Sequence, residues 1–148
     1  MPVYIAYEYC KNKYLNTQKK YNEILQEKED LFQRTQLKAI DYDNEKIEKG
    51  YKHNAFDEYL IAKEKARIDE RLDEIKSILY DRKYLLHLKE QELRNSKNHI
   101  DQIYKMRYID QLNVRKIAIF SCYSESQVYR ILERVRKTLK NKKIYFNT

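Results

Sequence analysis

Apolar residues recur along this chain in two long stripes and one denser cluster, and every element they predict is a helix. Tyr4, Tyr7, Tyr14, Tyr21, Leu25 and Phe32 follow one another at heptad-like steps, widened by Ile5, Leu15, Ile24 and Leu31. That spacing predicts a helix from residue 3 to about 36. The pattern breaks between Gln36 and Asn54, where turn formers alternate with isolated apolar residues. Residues 37–53 are therefore expected to form a connection, with a short helical turn around Glu45 to Lys49. Asn54, with Asp57 three residues on, can cap a second helix to residue 94. Its stripe is Ile61, Ile68, Leu72, Ile75, Leu79, Leu86 and Leu93, interrupted by Arg82 and Lys89 and broadened by Ile78, Leu85 and Leu88. A helix of about 40 residues is roughly 60 Å long, so the two can pair antiparallel as a coiled-coil-like stalk. Self-association through the same face is the competing use of the seam. Tyrosine is an unusual core residue because its hydroxyl needs a partner, so a partly wet seam is expected.

The third cluster is the most specific. Asn95-Ser96-Lys97-Asn98 marks a break, and Ile100, Ile103, Tyr104, Met106 and Tyr108 predict a short helix that Ser96 or Asn98 would cap. Asn113 can cap a next helix whose inner face holds Val114, Ile117 and Ala118, and Phe120-Ser121-Cys122-Tyr123 interrupts it. Ser124 and Gln127 then stand at capping-box spacing. Val128, Ile131, Leu132, Val135 and Leu139 give the helix after them one apolar face. A small Ala118 lets the two helices approach, and Val128 and Ile131 fill the angle between them. The result is an all-α chain: a long helical hairpin over residues 1–95, then a three-helix helix-turn-helix unit with a basic tail over residues 96–148.

Composition agrees. Charged residues make up 36% of the 148, and the single Gly (Gly50) and single Pro (Pro2) leave little to break a helix. The net charge of +8 is unevenly placed: residues 98–148 hold 11 Lys and Arg against 4 Asp and Glu, and residues 1–97 hold 20 against 19. Positive charge concentrated at a helix-turn-helix points to nucleic acid. Cys10 and Cys122 follow no recognisable secretory signal, so reduced thiols and a cytoplasmic location are expected. No apolar run reaches the roughly 18 residues of a membrane span.

Chemistry other than binding finds little to stand on. His53, His87 and His99 have no zinc spacing, and one glycine cannot build a phosphate-binding loop. Asp41, Asp43 and Glu45 alternate like calcium ligands, but Lys46 and Lys52 occupy the positions that need Gly and an acidic residue. Neither a metal nor a cofactor is expected, and an enzyme is not. Cys122, beside Tyr123 near a helix start, reads as a small residue filling the turn before it reads as a reactive thiol.

Residues 98–140 carry a resemblance that extends upstream to cover roughly residues 38–140. Tyr104-Lys-Met-Arg-Tyr-Ile-Asp-Gln-Leu-Asn113, then Ile117-Ala118 and Tyr123-Ser-Glu-Ser-Gln-Val-Tyr-Arg-Ile131, resemble the region-four DNA-binding module of sigma factors as used in ArpU/RinA-type phage late-transcription regulators. Lys38-Ala-Ile-Asp-Tyr-Asp-Asn-Glu-Lys-Ile47 is similar to a segment those regulators carry upstream. The resemblance implies a phage-encoded activator of late promoters, acting in the host cytoplasm. Gln111 stands where such proteins usually have a turn glycine, and Lys116 where a glutamate is common.

With Val128, Ile131 and Leu132 turned inward, Glu125, Ser126, Gln127, Tyr129 and Arg130 are the candidate base contacts. Arg can bond a guanine edge twice and Gln an adenine edge twice. Arg115, Lys116, Ser124, Arg134 and Lys137 are the candidate phosphate contacts, and Arg130 can equally serve a phosphate. The expected partner of a monomer or homodimer is double-stranded DNA, with RNA polymerase a further candidate. A small terminase-like packaging protein and a helical interaction module without DNA binding are the alternatives.

Overall fold

The computed structural model describes residues 2–49 and 55–146, with the side chains of residues 2–36 and 57–142. The protein is all-α. Helix α1 spans Val3–Lys49 and α2 spans Ala55–Asn95; α3, His99–Tyr104, continues into a π-helical turn over Lys105–Ile109; α4 is Val114–Ser121 and α5 is Glu125–Phe146.

Two expected boundaries move. The connection expected from residue 37 is helical through Lys49, because losing apolar periodicity removes a packing face without removing a backbone hydrogen bond, and no Gly or Pro stands between Val3 and Gly50. Asp41, Asp43 and Glu45 thus lie on a helix and not on a calcium loop. Helix α5 likewise outruns its expected apolar face, which ends at Leu139, and is helical through Phe146. The Asn54 cap, His53, and the side chains of Ile144, Tyr145 and Phe146 lie outside the described residues.

The fold divides into two compact units. In the first, Leu15–Asp81, α1 and α2 run antiparallel. Ile24 and Leu31 pack on Ile68 and Leu72, with Tyr21 and Ile75 at the edge. Lys28–Asp69 (2.8 Å), Arg71–Glu27 (3.0 Å) and Arg34–Glu64 (3.8 Å) flank that seam. These exposed pairs contribute at most about 1 kcal/mol each, against about 1.5–3 kcal/mol for each buried aliphatic side chain, so the apolar seam sets the register. Its α1 side is one residue off the expected stripe: Ile24 and Leu31 are buried, whereas Leu25 and Phe32 are 40% and 57% exposed. A two-helix pairing buries a narrow seam, so only one of two adjacent apolar residues can enter it.

The second unit joins the turns of α1 up to Tyr14 with the chain from Arg82 onward. Its centre is Asp101, a carboxylate only 1% exposed. Asp101 Oδ2 accepts from the Val3 amide (3.1 Å) and the Ser96 hydroxyl (2.7 Å), and Oδ1 accepts from the Tyr4 amide (3.0 Å). The first amides of a helix have no partner inside it and carry the positive end of its dipole. A side chain from α3 therefore caps α1 across 97 and 98 residues of sequence. Asn98, not Ser96, caps α3 itself, through the Ile100 amide at 2.9 Å.

Behind this cap Tyr4, Ile5, Leu93, Tyr104 and Val135 form one buried cluster, with Tyr7, Ile100, Ile109 and Leu139 against it. The Tyr104 ring stacks on Tyr4 (centroids 5.3 Å) and lies 4.9 Å from Tyr108, while Tyr7 meets it edge-on at 6.1 Å. Its hydroxyl donates to Glu8. Burial, reinforced by that carboxylate, holds the Tyr104 phenol far above its usual pKa, and burial raises Tyr4 and Tyr7 in the same direction. These rings stay neutral, and the wet seam expected of them is dry at Tyr4 and Tyr104. Burial also pushes the Cys10 thiol up, away from the thiolate form.

Past the π-helical turn and its cap Asp110, Gln111 has a left-handed φ of 55°, and the Leu112 amide reaches the Met106 carbonyl at 2.9 Å. We expect Gln111→Gly to raise unfolding stability by about 0.5–1 kcal/mol in urea titrations, since glycine enters that region without a Cβ clash; a loss of stability would mean that the Gln111 side chain supports the turn. Asp101→Ala should cost about 3 kcal/mol, because it strands two helix-end amides and a hydroxyl. Hydrogen exchange should then show the Val3 and Tyr4 amides losing protection first, and unchanged protection there would contradict the capping role.

Candidate nucleic-acid interface

The helix-turn-helix is built by local capping at both starts. Asn113 Oδ1 accepts from the Lys116 amide (2.9 Å) to begin α4. Ser124 Oγ accepts from the Gln127 amide (3.2 Å) while Gln127 Oε1 accepts from the Ser124 amide (3.0 Å), so the expected capping box is closed in both directions. Between them α4 runs on through Phe120 to Ser121, and the break expected from Phe120 narrows to Cys122 and Tyr123. Cys122 adopts φ 62°, ψ 19°, the left-handed conformation that ends many helices. Ile103 of α3, Ile117 of α4, and Val128 and Leu132 of α5 enclose the core, with Met106, Leu112, Val114, Ala118, Tyr123 and Ile131 around it.

Every residue expected to touch DNA is exposed: Arg115 and Lys116 on α4, then Ser124, Glu125, Ser126, Gln127, Tyr129, Arg130, Arg134 and Lys137 on or just before α5. They do not share one face. By helical periodicity Ser126, Arg130 and Lys137 lie opposite the buried Val128, Leu132 and Val135, Glu125 and Tyr129 fall on one flank, and Gln127 and Arg134 fall on the other. Gln127 carries two of the expected roles, cap and base contact. Pairing with adenine uses both its oxygen and its nitrogen; the oxygen accepts from the Ser124 amide and keeps a second lone pair, and Nε2 remains a donor.

The flank of Gln127 and Arg134 is not a plain surface. His99, Tyr123, Gln127, Arg130, Ile131 and Arg134 line a shallow hollow of about 200 Å³, and the His99 and Tyr123 rings meet at 6.1 Å. Sequence reasoning missed His99 here, because it belongs to α3 and nothing in its local pattern ties it to α5. It also missed Ile119 and Phe120, which α4 leaves 69% and 66% exposed.

Electrostatics separate this surface from the rest of the chain. Among the described residues the ion pairs involve α1, α2, Lys105 and Asp110, and none involves a side chain of α4 or α5. Among the described residues no group of three or more His, Cys, Asp or Glu is placed to hold a metal ion, and no helix is long and apolar enough to cross a membrane. The chain matches no protein-family model, and no curated protein and no solved structure matches it.

Ser124→Ala should lower stability by about 1 kcal/mol, read as a downward shift of the thermal midpoint by circular dichroism. Adding Gln127→Ala should cost less than it does alone, because the two bonds of the box form together; strictly additive losses would show that the box does not act as a unit.

Proposed function

We propose that the protein is a sequence-specific double-stranded DNA-binding transcription regulator that lays the start of α5 in the major groove. The observation that carries this reading is the exposed cationic face of α4 and α5, which makes no ion pair among the described residues. The hairpin offsets much of its positive charge with its own carboxylates, and this face leaves its charge to an outside anion. A groove-bound second helix presents its first turns to base edges, which assigns Ser126 and Tyr129 to bases with Glu125 as an acceptor for a cytosine amine. Arg115, Lys116, Ser124 and Lys137 then fall to phosphates, where they set register and salt dependence.

The similarity of residues 38–140 to ArpU/RinA-type regulators narrows the proposal to a phage late-gene activator, a monomer or homodimer in the host cytoplasm, with RNA polymerase as its second partner. That similarity is also what favours a regulator over a packaging protein of small-terminase type, which shares the layout of stalk and helix-turn-helix.

Fragments of the source genome retained by the purified full chain at near-physiological salt should concentrate at one or a few promoter regions. Concentration beside packaging genes would favour the terminase reading, and no enrichment would remove sequence-specific binding. Replacing Arg115, Lys116 and Lys137 with Gln together should flatten the dependence of log affinity on log salt by roughly 2–3, at about 0.9 for each phosphate that the variant no longer neutralises. An unchanged slope would take these residues off the backbone.

A further inference from the structure

The hollow beside α5 has a lining that selects its ligand. Gln127, Arg130 and Arg134 follow one another at three- and four-residue steps, so they form one ridge of the helix. His99 of α3, Tyr123 of the turn and Ile131 complete the lining. No carboxylate lines the hollow, and neither arginine forms an ion pair among the described residues. Two arginines at i, i+4 repel each other, a cost that an anion between them would reverse. The Gln127 oxygen accepts from the Ser124 amide, which leaves its Nε2 as a donor for a ligand. The site thus combines donors and positive charge in a space of about 200 Å³, which admits a tetrahedral anion and a few waters, at about 30 Å³ for each water.

We infer that this hollow seats one phosphate of the DNA backbone, held by Arg130 and Arg134 with His99 and Gln127 as further donors. Arg130 thereby sets the register of α5 on the duplex instead of reading a base. The inference rests on α5 being the groove helix: backbone phosphates run along the flanks of a helix in the major groove, and the hollow opens on such a flank. It also brings α3, which precedes the helix-turn-helix, into the DNA contact.

Fluorescence anisotropy of the full chain with a short labelled duplex of random sequence tests this. Arg130→Gln and Arg134→Gln should each weaken binding about tenfold, the size of a charge-assisted contact. The double variant should lose about twentyfold, well short of the hundredfold product, because both side chains serve one phosphate. Arg134→Gln with Lys116→Gln should multiply in full, and unchanged circular dichroism melts show that these exposed substitutions leave the fold alone. Arg130→Gln should weaken binding equally on random duplex and on a selected site. In NMR spectra the His99 ring signals should move on addition of duplex.

Losses at Arg130 and Arg134 that multiply, or a His99 ring indifferent to duplex, overturn the inference while leaving DNA binding intact. A ring that responds to inorganic phosphate and not to duplex assigns the hollow to a free anion, which also overturns it. Failure of the unsubstituted protein to bind any duplex at low salt would remove the groove reading itself and this inference with it.

Discussion

A buried carboxylate organises the unit that carries the candidate interface. Burying an unpaired charge costs several kcal/mol or more, and Asp101 tolerates 1% exposure only because two amides at the start of α1 and the Ser96 hydroxyl surround it. The same bonds satisfy the end of α1, so neither partner is stable there without the other. This fixes Tyr4 and Ile5 against Leu93, Tyr104 and Val135. The back of α5 is therefore closed by the beginning of the chain as well as by the two helices that precede it.

That closure has an electrostatic counterpart. The apolar side of α5 goes to α1 and α3 through Val135, Leu139 and Val128, and the aromatic stack around Tyr104 stays neutral because burial opposes its ionisation. The solvent side of α5 carries Ser126, Gln127, Arg130, Arg134 and Lys137 beside the exposed Glu125, Tyr129 and Glu133. Along the hairpin the cations Lys28, Arg34 and Arg71 have carboxylate partners. Among the described residues the cations of α4 and α5 have no such partners.

The parts of the fold legible in the sequence were those written by local rules. The Asn113 cap, the Ser124 and Gln127 box, and the apolar face of Val128, Leu132 and Val135 each depend on residues within one or two turns, and each stands in the structure as expected. The exposure of every candidate contact on α5 followed from the same periodicity. Gln127 closes the cap through its oxygen and is itself exposed.

The all-α class and the face that α5 turns to solvent were legible along the chain, because helix period and capping act over a few residues; the seam of the long helices left self-association open, and the structure pairs them antiparallel. Tertiary structure alone decided that Ile24 and Leu31 enter the seam in place of Leu25 and Phe32, since a choice between neighbouring apolar residues is made by the partner helix. It alone decided that Asp101 caps a helix 97 and 98 residues away, and that His99 joins Arg130 and Arg134 at one hollow. Those arrangements depend on where separate helices meet, and no spacing along the chain encodes a distance between two helices.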